Sequence, residues 1–177
     1  MTDDIKELFE LLVKYNKLTN QDMVKILEGL EPDKLTENLG SYYRSILGIL
    51  NHYLLADIGW LRVLGTHISS LDFVAPLLER FPSGRPLPNQ LHWATLDEYK
   101  SVRIEIDAIM ERMIKSIPTT QYKDILKIEG RRGTSEYIIW RILLHLFNHQ
   151  THHRGGVAVL LDQIKVENDY SNLLWKV

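Results

Sequence analysis

Hydrophobic positions recur at helical spacing in four long stretches of this 177-residue chain. From Ile5 to about Gly29, Leu8, Leu11, Leu12, Tyr15, Leu18, Met23, Ile26 and Leu27 trace a helix that Glu31-Pro32 stops. A second helix is expected from about Asn38 to Gly65. A third runs from Leu96 to Ile117, opened by the capping box Thr95-Leu96-Asp97-Glu98 and closed by Pro118. The last extends from about Ser135 to Lys165. Four helices of this length predict an all-α four-helix bundle. Between the second and third lies a long crossover, irregular at Pro76, Pro82, Gly84, Pro86 and Pro88, with one short helix around Phe73 to Glu79; a lid and a plain connection both fit it. Tyr122-Lys-Asp-Ile-Leu-Lys-Ile128 alternates as a strand and leads into Glu129-Gly-Arg-Arg-Gly133, which predicts a small β-hairpin before the last helix.

No repeat or low-complexity segment divides the chain, so residues 1–177 are read as one domain. With 45% hydrophobic residues it can bury a sizeable core. A net charge of −2 provides no basic field for nucleic acid, and the one compact basic cluster, Arg131-Arg132 between Gly130 and Gly133, reads as a solvated turn. The absence of cysteine removes disulfides, thiolate ligands and a cysteine nucleophile, which leaves nitrogen and oxygen ligands for any metal. The acidic start, Met1-Thr-Asp-Asp-Ile5, lacks an apolar signal region, and no apolar run reaches the length of a membrane span. A cytoplasmic protein is expected.

Four of the seven histidines fall within the nine residues from His145 to His153. At 100° per residue, with His145 at 0°, His149 lies near 40° and His153 near 80°, roughly the middle of the stripe made by Ile138, Ile142, Leu146, Val157, Leu160 and Ile164. His145 and His152 lie at its margin. Imidazoles at the centre of an apolar stripe need partners, since an unpaired buried polar group costs about 1–3 kcal/mol. Separate hydrogen bonds to backbone or water would satisfy them, and so would one shared metal ion. His145 and His153 are about 12 Å apart along the axis, too far for all three of the column to hold one ion, so another helix must contribute.

The best third ligand is His52 in the second helix. Ser45, Gly48, Ala56 and Gly59 surround it on the wheel, and glycine costs a helix interior about 1 kcal/mol relative to alanine. Either space beside the histidine or close helix packing accounts for them. Tyr42, Tyr53 and Trp60 to one side read as core and Arg44, Asn51 and Arg62 to the other as solvated surface, while either group could also rim a pocket. His67 and His92 lie in or beside loops and are read as surface residues.

Tyr15-Asn16 with Asn20, Ser45-Ile46, Leu50-Asn51-His52 with Trp60-Leu61, and Asn148-His149-Gln-Thr-His152-His153-Arg154-Gly155 resemble the DinB-like, YfiT-like four-helix-bundle superfamily, which is distinct from the DNA polymerase sharing the name. The resemblance spans nearly the whole chain. It implies a divalent metal held by His52, His149 and His153, and a homodimer, with which the C-terminal Tyr170, Leu173, Leu174 and Trp175 are compatible. Those residues could equally dock on their own bundle. Gly156 stands where many members have Gln, which removes that side chain's polar contact.

Three neutral imidazoles with an open position form the catalytic type of site, at which a bound water or thiol becomes more acidic. The superfamily includes enzymes that use low-molecular-weight bacterial thiols. The expectation is a metal-dependent enzyme attacking a small electrophile, with thiol S-transfer first, hydrolysis as the enzymatic alternative and a metal-binding stress or interaction protein as the non-enzymatic one. Zinc, nickel, iron and manganese all suit histidine ligation. His145 is a candidate to support His149 from outside the ligand shell, or an ordinary partly buried histidine. Arg154 points away from His153 and is expected to pair with a carboxylate of another helix or to touch a partner chain. His152 is expected at a dimer interface or in water. No carboxylate has a spacing that marks a general base.

Overall fold

A computed structural model describes residues 2–84, 87, 90–130 and 133–177. Its four long helices are α1 (Thr2–Leu27), α3 (Ile46–His67), α5 (Leu96–Ser116) and α6 (Ile139–Gln163); α2 (Pro32–Thr36), α4 (Val74–Leu78) and α7 (Leu173–Lys176) are single turns. α1 lies closest to α5 and α6, and α3 to the same two, so the four close a ring around one core. Helix α3 buries residues on every side. The mostly α fold with a hairpin matches the hydrophobic pattern, and the expected capping box at Thr95 and Glu98 forms in full.

Several boundaries differ from the sequence reading. Helix α3 starts eight residues later than Asn38, at Ile46, because Gly40 and Arg44 take left-handed backbone conformations (φ 81° and 67°) and the Leu39 N–H closes a turn on the Arg44 carbonyl at 2.7 Å. Ser45 then caps the helix, its hydroxyl accepting from Gly48 N at 3.0 Å. Likewise α6 begins at Ile139 instead of Ser135. Ser135 to Ile138 belong to β2 (Gly133–Ile138), paired antiparallel with β1 (Ile125–Gly130) in the register Ile125↔Ile138 to Gly130↔Gly133. The ladder bonds to β1 outweigh one extra helical turn here, and aromatic Tyr137 and β-branched Ile138 suit a strand. Tyr122 precedes the strand, in the 3₁₀ turn Thr119–Lys123, where its buried ring stacks on Phe9 at 5.6 Å. Pro86, Pro88 and the Arg131-Arg132 cluster lie outside the described residues.

The crossover is fastened at both ends by residues expected on the surface. Asn51 is buried: its amide oxygen accepts from His92 N (2.8 Å) and Trp93 N (2.9 Å), and its amide nitrogen donates to the Trp93 carbonyl (2.9 Å). Arg62 donates to the carbonyls of Leu78, Phe81 and Pro82 at 2.6–2.8 Å. Both side chains satisfy backbone groups that an irregular segment leaves without a ladder. Tyr42, expected in the core, is 75% exposed, because the turn before α3 swings it outward. Among the described residues no helix is long and apolar enough to cross a membrane.

Candidate metal centre

The spacing of His149 and His153 on α6 and the packing of α6 on α3 bring three imidazoles together. One ring nitrogen from each of His52, His149 and His153 lies within 4.8 Å of the others. The Nε2 atoms of His149 and His153 approach to 3.0 Å. Ring centroids of His52 lie 4.5 Å from His153 and 5.3 Å from His149. Without an ion, two neutral imidazoles can share that 3.0 Å contact only if one Nε2 carries a proton. With one, metal–nitrogen bonds of about 2.0–2.1 Å place neighbouring ligand nitrogens about 3.0–3.4 Å apart, so the observed spacing suits a shared ion.

Electrostatics point the same way. Burial, with smaller contributions from His145 and His152, pushes the His149 imidazole down to about 4. Burial first, then His149, His52 and His152, pushes His153 down to about 3. Both rings are therefore neutral at pH 7, the form that offers a lone pair to a metal. The Nδ1 of His149 is buried and has no hydrogen-bond partner among the described residues. His153 is buried while His52 and His149 are half-exposed, which places the cluster at the edge of the core with a route to solvent.

Beneath the histidines lies a buried polar layer that reaches all four helices. The Tyr53 ring lies parallel to that of His153, centroids 6.4 Å apart, and its hydroxyl bonds that of Tyr99 on α5. Arg103, 1% exposed, pairs with Asp57 at 2.6 Å and Asp107 at 2.9 Å; Asn20 of α1 donates to the Asp107 carboxylate at 3.1 Å. Burial raises both carboxyls against the pull of Arg103. Arg154 corrects the sequence expectation. It is buried and donates to amide oxygens, those of Asn16, Asn20 (3.2 Å) and Gln150 (3.5 Å), instead of pairing with a carboxylate or facing outward. Asn16 and Asn20, which in the sequence weaken the first helix locally and carry part of the family resemblance, are thus the α1 side of the joint with α6.

The remaining histidines stand apart. His145 is exposed, with its ring 5.4 Å from Trp60 and 5.8 Å from His149, and it adds no ligand atom to the group. His152 is exposed beside His153, and His67 is exposed. His92 is half-buried by the Asn51 contact. The glycines near His52 have different reasons: a Cβ on Gly48 would come within 2.0 Å of the Tyr43 carbonyl, whereas one on Gly59 would meet open space. At Gly156 a methyl would only touch Ile49, at 3.5 Å. Tyr170 docks on its own bundle, donating to the Arg154 carbonyl at 2.7 Å, while Leu174 and Trp175 are more than 80% exposed. Sequence reasoning missed Tyr43, whose hydroxyl lies 2.9 Å from His52 Nε2. It sits in the turn that was expected to be helix, so no periodicity marked it.

Comparison with known proteins agrees with this architecture. Protein DinB of Bacillus subtilis (strain 168) is 26% identical over 154 residues, which cover 86% of this chain and 83% of that protein. The model of the DinB family matches residues 1–176, and this chain belongs to that family.

Proposed function

We propose that the protein is a metal-dependent enzyme in which His52, His149 and His153 hold one divalent transition metal and a small electrophilic substrate is attacked by a thiol, as in a thiol S-transferase. The observation that carries this reading is the 3.0 Å approach of two Nε2 atoms on α6 with His52 of α3 in reach. Such an ion supplies a Lewis acid that lowers the pKa of a thiol or water bound to it. The chain's own residues hold the His149 and His153 rings neutral at pH 7, set His153 parallel to Tyr53 and leave the half-exposed side of His52 and His149 open to a small molecule.

The buried carboxylates favour a thiol over water. Asp57 and Asp107 are engaged by Arg103 and cannot serve as a general base at the site. A thiol, with an ordinary pKa near 8.5, needs far less help to lose its proton than water at about 15.7. We place the enzyme in the cytoplasm as a homodimer acting on a small molecule, with neither nucleic acid nor membrane as partner. The net charge of −2 argues against a nucleic-acid partner, and the exposed Leu174 and Trp175 support a contact between subunits, which sedimentation tests.

The decisive assay mixes metal-loaded protein with low-molecular-weight thiols and a panel of alkyl and epoxide electrophiles, following loss of free thiol. Turnover that needs both thiol and metal is expected. Turnover without thiol would make the protein a hydrolase, and metal binding without either activity would make it a binding protein.

A further inference from the structure

Arg154 brings a buried positive charge to the joint between α1 and α6. It is 3% exposed, and among the described residues no carboxylate lies within ion-pair distance of it; its guanidinium donates only to neutral oxygens, the amides of Asn16, Asn20 and Gln150 and the Thr151 hydroxyl (3.3 Å). All of these bonds come from Nη1 and Nη2, and the Nε–H makes none. Arg103, also buried, has Asp57 and Asp107 against it. Arg154 reaches Asp107 only through the Asn20 amide, whose nitrogen donates to that carboxylate at 3.1 Å while its oxygen accepts from Arg154. Burial raises both carboxyls, so less than two full negative charges face two guanidinium groups across the layer.

A donor is left over beside this charge. Because Arg154 donates to the Asn16 amide oxygen, the orientation of that amide is fixed and its nitrogen is the group that remains. Asn16 Nδ2 is buried and has no hydrogen-bond partner among the described residues, a deficit of about 1–3 kcal/mol. Asn16 and Arg154 line a cavity of about 160 Å³ between α1 and α6, whose walls include Leu12, Leu144 and Phe147. None of His52, His149 and His153 lines it. Leu144, 45% exposed, stands at its solvent side. A water molecule would satisfy the amide and leave the guanidinium charge as it is. An organic carboxylate supplies two acceptors, a counter-charge and a body that suits the apolar walls.

We propose that this cavity is a second ligand site, separate from the histidines, that takes a small organic carboxylate: Arg154 and the Asn16 amide nitrogen hold the carboxylate, and Leu12, Leu144 and Phe147 hold its apolar body. The site stands whether or not the histidines carry a metal. Arg154 follows His153 directly in α6, so a carboxylate bound there acts on the same helical turn from the opposite side.

Benzoate is the probe. It is titrated at constant ionic strength and pH 7 into parent, His52→Ala, Asn16→Asp and Leu144→Glu proteins, with binding read from amide NMR shifts and melting temperatures measured in parallel. Parent and His52→Ala are expected to bind benzoate alike. Binding is expected to weaken about tenfold or more in Asn16→Asp, which brings its own carboxylate to Arg154, and in Leu144→Glu, which sets a negative charge at the mouth and leaves the floor unchanged. Without benzoate, Asn16→Asp should melt no lower than the parent, because its new carboxylate meets a cation that lacks one. Failure of the parent to bind benzoate, or undiminished binding in either cavity variant, would overturn the proposal. Loss of binding in His52→Ala would also overturn it, by placing benzoate at the histidines. An Asn16→Asp protein that melts well below the parent would overturn it too, by showing that the charge of Arg154 is already balanced.

Discussion

Replacing Arg103 with Met keeps much of the side chain's length and removes its charge from a site 1% exposed. Two carboxylates, Asp57 and Asp107, would lose a cation at 2.6 and 2.9 Å. Removing one partner of a buried ion pair costs about 3–5 kcal/mol, a large share of the roughly 5–15 kcal/mol that stabilises a typical domain. With an unfolding entropy of about 2.1 cal/mol/K for each of 177 residues, such a loss lowers the melting temperature by about 8–13 °C. The pH dependence identifies the cause. Burial already raises both carboxyls, and without Arg103 they rise further above their unfolded values. A raised carboxyl pKa gives stability that is present at low pH and lost as pH rises through the folded value, and Asp57 sits at about 7 in the parent, so the deficit of Arg103→Met should widen from about pH 7 toward about pH 9. Urea unfolding followed by circular dichroism at both pH values measures it. A loss under about 1 kcal/mol at pH 7, or a deficit indifferent to pH, would refute the reasoning.

Two further outcomes follow from the site. Gly48→Ala, which in an ordinary helix interior would stabilise by about 1 kcal/mol, should instead destabilise by about 1–3 kcal/mol, because the added methyl meets the Tyr43 carbonyl at 2.0 Å; a thermal melt with unchanged or raised midpoint would contradict it. In metal-free protein, the imidazole resonances of His149 and His153 should not titrate between about pH 8 and pH 5.5, where an exposed histidine does. Their folded values are lowered, so the unfolded chain binds more protons from about 6.5 down to about 4 for His149 and about 3 for His153, and this contribution to stability is full above that window and lost as pH falls through it.

The convergence of His149 and His153 was legible because two histidines four residues apart, central in an apolar stripe, leave little choice of direction. The buried polar layer was not. Asn51 and Arg62 look solvent-facing on a helical wheel and Arg154 only turned off the histidine face, since their partners come from elements far away in the chain; Arg154 and Asn16 are 138 residues apart. Helix boundaries failed where a local conformation competed with helix, as at Gly40 and Arg44 before α3, and at Ser135 to Ile138, where pairing with β1 decides. Tyr43 was hidden by the first of these errors. A residue assigned to a helix is given a fixed direction, and the turn sends its ring elsewhere.

Elemental analysis shows whether His52, His149 and His153 hold a metal ion. Tag-free protein, purified without chelator or added metal, is compared by plasma mass spectrometry with His52→Ala, His153→Ala and His145→Ala. About one equivalent of a transition metal is expected in the parent and in His145→Ala, and little in the other two, with helix content largely intact, because three convergent rings bind far more tightly than two. A parent that is empty and fails to bind added zinc, nickel or iron, or a His52→Ala variant that keeps its full metal, would contradict the site.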